Sequence, residues 1–238
     1  MKLQKLKQVL KTYHVSGCEL ERWGGNRDGG YILYPQVAER SDVLYTYGIG
    51  HSTTFENEYC EKTGNAAIAF DHTVRRLPHP HENLVFVKEG VAGETRPKMD
   101  TYENHHKKYG GTSPLLKIDI EGWEYEVLTA IPDELLTSST GILLEVHNLS
   151  TRLDEFITMM ERINRDFALV HLHPNNWGIT FDVEGYQFPD VLELSFVNRK
   201  EFVDIQETVL SLPLDGLDRK NHSRRPDIYL NYLYENSF

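Results

Sequence analysis

The chain has 238 residues, 39% apolar and 26% charged, an ordinary globular mix that needs no disulfide or metal staple and buries roughly 70% of its unfolded surface. Lys plus Arg number 25 against 36 Asp plus Glu, a formal net charge of −11, which disfavours nucleic acid and anionic lipid as partners. No apolar run approaches the ~18 residues of a membrane span, the first fifteen residues lack a secretory core, and Cys18 and Cys60 make no disulfide framework; a cytoplasmic protein without membrane insertion is expected.

In chain order, MKLQKLKQVLKTYHV (1–15) predicts a short basic amphipathic helix, and RWGGNRDGGYILYP (22–35) a glycine-rich turn before an extended run. SDVLYTYGIG (41–50) predicts an apolar strand ending in two glycines. STTFENEYCEKTG (52–64) then opens on hydroxyl caps and closes on Gly64, as a helix does. NAAIAFDHT (65–73) and NLVFVKEGVAG (83–93) predict strands, while 96–112 is polar and ambiguous. SPLLKIDIEGWEYEVLTAIP (113–132) breaks from strand into helix, and GILLEVHNLS (141–150) is a fifth strand. TRLDEFITMMERINRDF (151–167) is an amphipathic helix; ALVHLHPNN (168–176) and VLELSFVNR (191–199) form a final strand pair separated by a polar loop. The alternation predicts an α/β fold, a mostly parallel sheet with helices on both faces. One domain is expected over 41–238, after a helical and glycine-rich extension over 1–40. The N-terminal helix and the sheet edges both offer surfaces for a homodimer.

Ligands of such sheets bind at the carboxyl ends of the strands, and polar residues stand there: Gly48 and Gly50, Asp71, Glu89, Asp119 with Glu121, Glu145 with His147, His171 with His173. Two glycines one residue apart allow close backbone approach to a ligand. Thr53 replaces the third glycine of the dinucleotide fingerprint, which disfavours a dehydrogenase. Asp71 can accept ribose hydroxyls or close a turn. Asp119 and Glu121 can orient a cation, bind a divalent ion or share a proton, and Glu121 and Glu124 can also complement a helix dipole. A neutral His147 can deprotonate a hydroxyl near neutral pH. Asp119, Glu145, His147 and His173 together offer ligands for Mg²⁺ or another divalent ion. Asn175 and Asn176 suit a polyhydroxylated substrate or a turn.

DGGY (28–31), YGIG-x4-FE (47–56), FDHT (70–73), LKIDIEGWEYEVL (116–128), LLEVH (143–147), H-x-H-x-NN-x-G (171–178) and PDVLELSFV (189–197) carry a family likeness. Over about residues 22–200 the chain resembles the FkbM-like S-adenosylmethionine-dependent methyltransferases, a branch of the class I Rossmann-like methyltransferases. The resemblance implies a seven-stranded, mostly parallel sheet with an antiparallel final strand. It implies S-adenosylmethionine over Gly48 and Gly50, flanked by Tyr47 and His72, with its ribose on Asp71 and its adenine beside Glu89 and the three residues after it. Tyr47 stands near the place of the family's usual acid, so the methionine ammonium falls to Asp119 or Glu56. The expected reaction is methyl transfer to a hydroxyl of a sugar or glycoconjugate precursor. His147 is then the general base and Asp119 an orienting or metal-binding acid, with Tyr31, Glu121, His173, Asn175, Asn176 and Trp177 around the acceptor. Two other readings use the same residues: a metal-dependent hydrolase, and a catalytically silent nucleotide-binding module.

Overall fold

The computed structural model describes residues 1–234. The chain opens with α1 (Lys2–Val9) and β1 (Thr12–Val15), a hairpin of β2 (Glu21–Gly24) and β3 (Gly30–Leu33), and the short α2 (Pro35–Glu39). Then come β4 (Val43–Tyr47), α3 (Thr54–Thr63), β5 (Ala66–Phe70), β6 (Leu84–Val87), β7 (Gly90–Val91), β8 (Met99–Asp100) and α4 (Tyr102–Tyr109). The second half holds β9 (Pro114–Asp119), α5 (Glu124–Ala130), α6 (Asp133–Leu136), β10 (Gly141–Val146) and α7 (Leu149–Ile163). It finishes with β11 (Phe167–Pro174), a hairpin of β12 (Thr180–Val183) and β13 (Tyr186–Pro189), β14 (Leu192–Asn198) and β15 (Ile205–Thr208).

Seven strands form one sheet in the order β11-β14-β10-β9-β4-β5-β6, with only β14 antiparallel to its neighbours. The chain runs outward from β4 to β6 and returns to β9, so strand order reverses beside β4, where a crevice opens at the carboxyl edge. The strands are apolar on both faces because both are covered. α7 buries Leu149, Leu153, Phe156, Ile157, Met160 and Ile163 on one side. On the other, Trp23 and Tyr31 of the β2–β3 hairpin join Phe55 of α3 over Leu44 and Leu143. No helix among the described residues is long and apolar enough to cross a membrane.

Three local expectations change. The first helix ends at Val9, and residues 12–15 form a strand paired antiparallel with 205–208. That long-range ladder overrides the helical periodicity. Residues 96–112 contain α4, capped by Thr101, whose hydroxyl accepts the Asn104 N–H. The polar loop after β11 folds back as the β12–β13 hairpin.

One row of the sheet sets up the site. Asp119 on β9 is in register with Glu145 on β10, Glu145 with Glu193 on β14, and Glu193 with His173 on β11. Paired residues share a face, so four titratable groups stand side by side across the carboxyl edge.

Candidate active site

A cleft of about 650 Å³ lies over the ends of β4, β5 and β9, between the hairpin tip at Asp28 and Gly29 and the ring of Trp123. Gly48 (φ +80°) makes it possible: a Cβ there would meet the Asp119 carbonyl oxygen at 1.7 Å, so only glycine lets the turn lie on the end of β9. Gly50 (φ +48°) instead faces open space, where a side chain would compete with a ligand. His72 lines the cleft against Gly90, and Val91 and Met99 give this end an apolar wall.

Asp71 straps the two turns together. One carboxylate oxygen accepts the N–H groups of Ile49 (3.1 Å) and Gly50 (3.2 Å); the other accepts from Thr73 N, Thr73 Oγ1 and Val74 N. Burial alone would raise its pKa, but these bonds outweigh it and hold the carboxyl below the usual range. Five donors fill the roughly four lone-pair sites of a carboxylate, so Asp71 shapes this end of the cleft and offers it no free acceptor.

Beneath the turn sits a buried ion pair that the sequence reading half missed. Lys117 Nζ lies 3.2 Å from Glu56 Oε1 and donates to the Gly48 carbonyl, while Thr46 Oγ1 donates to the same Glu56 oxygen. Glu56 and Lys117 both line the cleft, so Glu56 brings an acid from α3 to the end of β4. Tyr47 does not reach it: strand alternation turns its ring onto Phe70 and His105 on the opposite face. Glu89 is likewise displaced, lying 3.4 Å from His105 Nε2 outside the cleft lining. Lys117 was legible in one respect, because a lysine two residues before Asp119 in an apolar strand shares its face and demands an acid.

At the other end of the cleft, Asp119 is half-buried, and its Oδ2 accepts from the Tyr31 hydroxyl (3.3 Å). His147 Nδ1 bonds Glu124 Oε1 at 2.9 Å, and that oxygen also accepts the N–H groups of Ile120 and Gly122. Nε2 faces Glu145 Oε1 (3.5 Å), Glu121 Oε2 (3.7 Å) and Asp119 Oδ1 (3.9 Å). Burial would depress the imidazole, but Glu124 and Glu145 more than offset it and push it up to about 11. Burial pushes Asp119 up to about 6, and burial with Asp119 alongside pushes Glu145 up to about 8. The general-base role expected of His147 does not suit this setting: Nδ1 is held by Glu124 and Nε2 is ringed by three carboxylates, which favour the protonated imidazole. Glu121, largely exposed, stands at the cleft mouth.

The expected acceptor residues on β11 are sealed. Residues 218–226 cross the end of the strand, where Asp218 pairs with His171 (3.0 Å) and Asn221 donates to Glu193 (2.5 Å). His173 Nδ1 is 3.2 Å from Glu193 Oε2. Asn176 donates to the carbonyls of His222, Arg225 and Pro226 and accepts the His222 N–H. Asn175 donates to Glu145 (2.8 Å) and accepts the Trp177 N–H. His173, Asn175 and Asn176 are all at most 3% exposed, so they hold the chain together and do not meet an acceptor. His173 consequently leaves the candidate metal set, in which Asp119, Glu145 and His147 remain within ligand distance of one another. Trp177 is exposed but outside the cleft lining, its ring edge-on to His222.

Comparison with known proteins supplies the chemistry. No curated protein matches the chain. Among solved structures it is similar to the Methanococcus jannaschii fibrillarin pre-rRNA processing protein, with 12% identity and a TM-score of 0.45 over 78% of this chain and 84% of that one. It is also similar to a mutant 16S rRNA (adenine(1408)-N(1))-methyltransferase from Catenulisporales acidiphilia, with 14% identity and a TM-score of 0.34 over 75% of this chain and 97% of that one. The sequence model of the methyltransferase FkbM domain matches residues 21–169, well over half of the chain and every strand that lines the cleft. The hydrolase and silent-module readings give way to that match: the chain belongs to the FkbM methyltransferase family and is an S-adenosylmethionine-dependent methyltransferase.

Proposed function

We propose that the enzyme methylates a hydroxyl of a sugar or glycoconjugate precursor, with Asp119 as the group that takes the proton. The observation that carries this reading is the position of Asp119. It lies where the glycine turn meets the acid row, half-open to the cleft, with a carboxyl pushed up to about 6. A base poised near the working pH combines availability with driving force.

The cleft fits the cofactor: its volume suits a nucleoside-sized ligand, and Gly48 and Gly50 present backbone where a side chain would intrude. Gly48 and Gly50 would hold S-adenosylmethionine at the turn, Glu56 its ammonium, and Val91 and Met99 its base. When bound, that group supplies an electrophilic methyl carbon. The remaining task is to align an acceptor oxygen and remove its proton. Tyr31 fixes one oxygen of Asp119 and leaves the other toward His147. The charged imidazole, oriented by Glu124, favours the ionised form of Asp119. Asp28 and Glu121 at the mouth are hydrogen-bond acceptors suited to a polyhydroxylated ligand.

The test supplies methyl-labelled S-adenosylmethionine with a panel of free sugars and sugar nucleotides. Label in a product that survives mild alkali, as an ether does, and that D119N abolishes, supports the reading. Label released by alkali as an ester, or transfer undiminished in D119N, overturns it.

A further inference from the structure

We propose that Asp119, Glu145 and His147 form a binding site for one divalent first-row transition ion, with Mn²⁺ the best match. The three side chains come from adjacent strand ends and offer one ligand atom each, all within 4.8 Å of one another. His147 Nε2 is 3.5 Å from Glu145 Oε1 and 3.9 Å from Asp119 Oδ1. Those distances exceed a hydrogen bond. Bonds of roughly 2.1–2.3 Å to a shared ion would need separations of about 3.0–3.8 Å between ligand atoms. The Glu145 separation falls in that range and the Asp119 separation lies about 0.1 Å beyond it, so a small side-chain shift brings all three atoms onto one ion.

An independent observation is the support behind each ligand. Glu124, wholly buried, holds His147 Nδ1 and so leaves Nε2 facing Glu145 and Asp119; its second oxygen has no hydrogen-bond partner among the described residues. Asn175 fixes Glu145 Oε1, and Tyr31 fixes Asp119 Oδ2. A carboxylate behind a ligating imidazole, with a donor behind each ligating carboxylate, is how metal sites orient their ligands. One nitrogen and two carboxylates suit Mn²⁺ better than Ca²⁺ or Mg²⁺, which favour all-oxygen sets, and neither cysteine contributes a thiolate. The ion takes the place of the Nε2 proton, so its charge instead of the imidazolium's favours the ionised form of Asp119. Its role in acidifying an acceptor hydroxyl rests on the function proposed above; its binding does not.

The experiment titrates Mn²⁺ into EDTA-stripped full-length protein without cofactor or acceptor, following loss of the free-ion paramagnetic resonance signal. One ion per chain is expected, outcompeting a tenfold excess of Mg²⁺. D119N and E145Q should weaken it at least about 100-fold, and E124Q about 10–100-fold, whereas E121Q should leave it unchanged. In the unsubstituted protein, Mn²⁺ should broaden the His147 ring resonances ahead of those of His171 and His173, which answers the question even where a variant fails to fold. Absence of stoichiometric binding, or binding that spares His147, overturns the proposal. Binding of S-adenosylhomocysteine, measured separately, reports on the cofactor cleft whatever the metal result.

Discussion

Two strand ends that read alike in sequence have opposite fates in the structure. LLEVHNLS on β10 and LVHLHPNN on β11 each end in acids, imidazoles or amides at alternate positions. The first lies beside the cleft, where His147 faces three carboxylates, two of them, Asp119 and Glu121, in the cleft lining. The second lies under residues 218–226, and its polar groups are taken by partners from that segment, from β14 or, for Asn175, from Glu145 on β10. Residue type and strand position therefore do not identify a binding group; what covers the strand end does.

Substitutions can break this contrast. At the open end they should cost binding with little stability, and at the sealed end the reverse. Gly50→Val fills open cleft, so S-adenosylhomocysteine should bind at least about 100-fold more weakly, a loss of ~3 kcal/mol, while the left-handed backbone at φ +48° limits the stability cost to about 1–2 kcal/mol. Titration calorimetry and a melt on the same sample check both halves. Asp218→Ala leaves buried His171 without its carboxylate and should lower stability by about 3 kcal/mol, read from the urea midpoint, with cofactor affinity retained. Weaker cofactor binding in that variant would show that the two ends are one functional unit. Asn176→Ala removes the clamp on 222–226 and should cost about 1–2 kcal/mol, with proteolytic cleavage appearing first in that segment.

The sealed end should also carry a pH signature. Burial opposes charge on His173, but Glu193 outweighs it and raises the folded pKa above the ordinary 6.5. Its stabilisation is therefore complete below about 6.5 and is lost as pH rises through the folded value. Asp218 runs the other way: burial opposes its charge, His171 outweighs burial, and the folded pKa falls below 3.8. Its contribution is present above about 3.8 and is lost as pH falls through the folded value. The urea midpoint should decline from pH 6 to pH 8, with the raised His147 and Glu145 contributing alongside His173, and H173Q should make that decline less steep. The smallest effect belongs to Trp177→Ala, an exposed ring outside the cleft lining, which should change stability by less than about 0.5 kcal/mol.

The sheet was legible because apolar runs bounded by glycines and acids mark buried parallel strands; six of its seven strands fall within the expected segments, and β11 begins one residue early, at Phe167. The glycine turn was legible for a similar reason, since backbone demands write themselves into residue type: Gly48 admits no side chain. The acid row was only partly so. Asp119 and Glu145 announce themselves at strand ends, but their juxtaposition with Glu193 depends on the register of three strands distant in sequence. The charge state of His147 depends on Glu124, a helix residue read as a dipole partner until the imidazole is placed beside it. Least legible was the crossing of 218–226, whose run RKNHSRR (219–225) reads as solvated surface while Asn221 and His222 supply the hydrogen bonds that seal β11.

That crossing also dictates an order of events in folding. His171 meets Asp218 across 47 residues, and Asn176 meets Pro226 across 50. The edge of the sheet is thus made well before the groups that satisfy it leave the ribosome. Thr12 waits longer still, for a carbonyl 196 residues away. Contacts of such long range form slowly, so β11 passes through synthesis as an open edge with unpaired amides and imidazoles. The open cleft has no such debt: Gly48, Asp71 and Asp119 find one another within the first half of the chain, and a nascent polypeptide can shape the glycine turn before its far edge is closed.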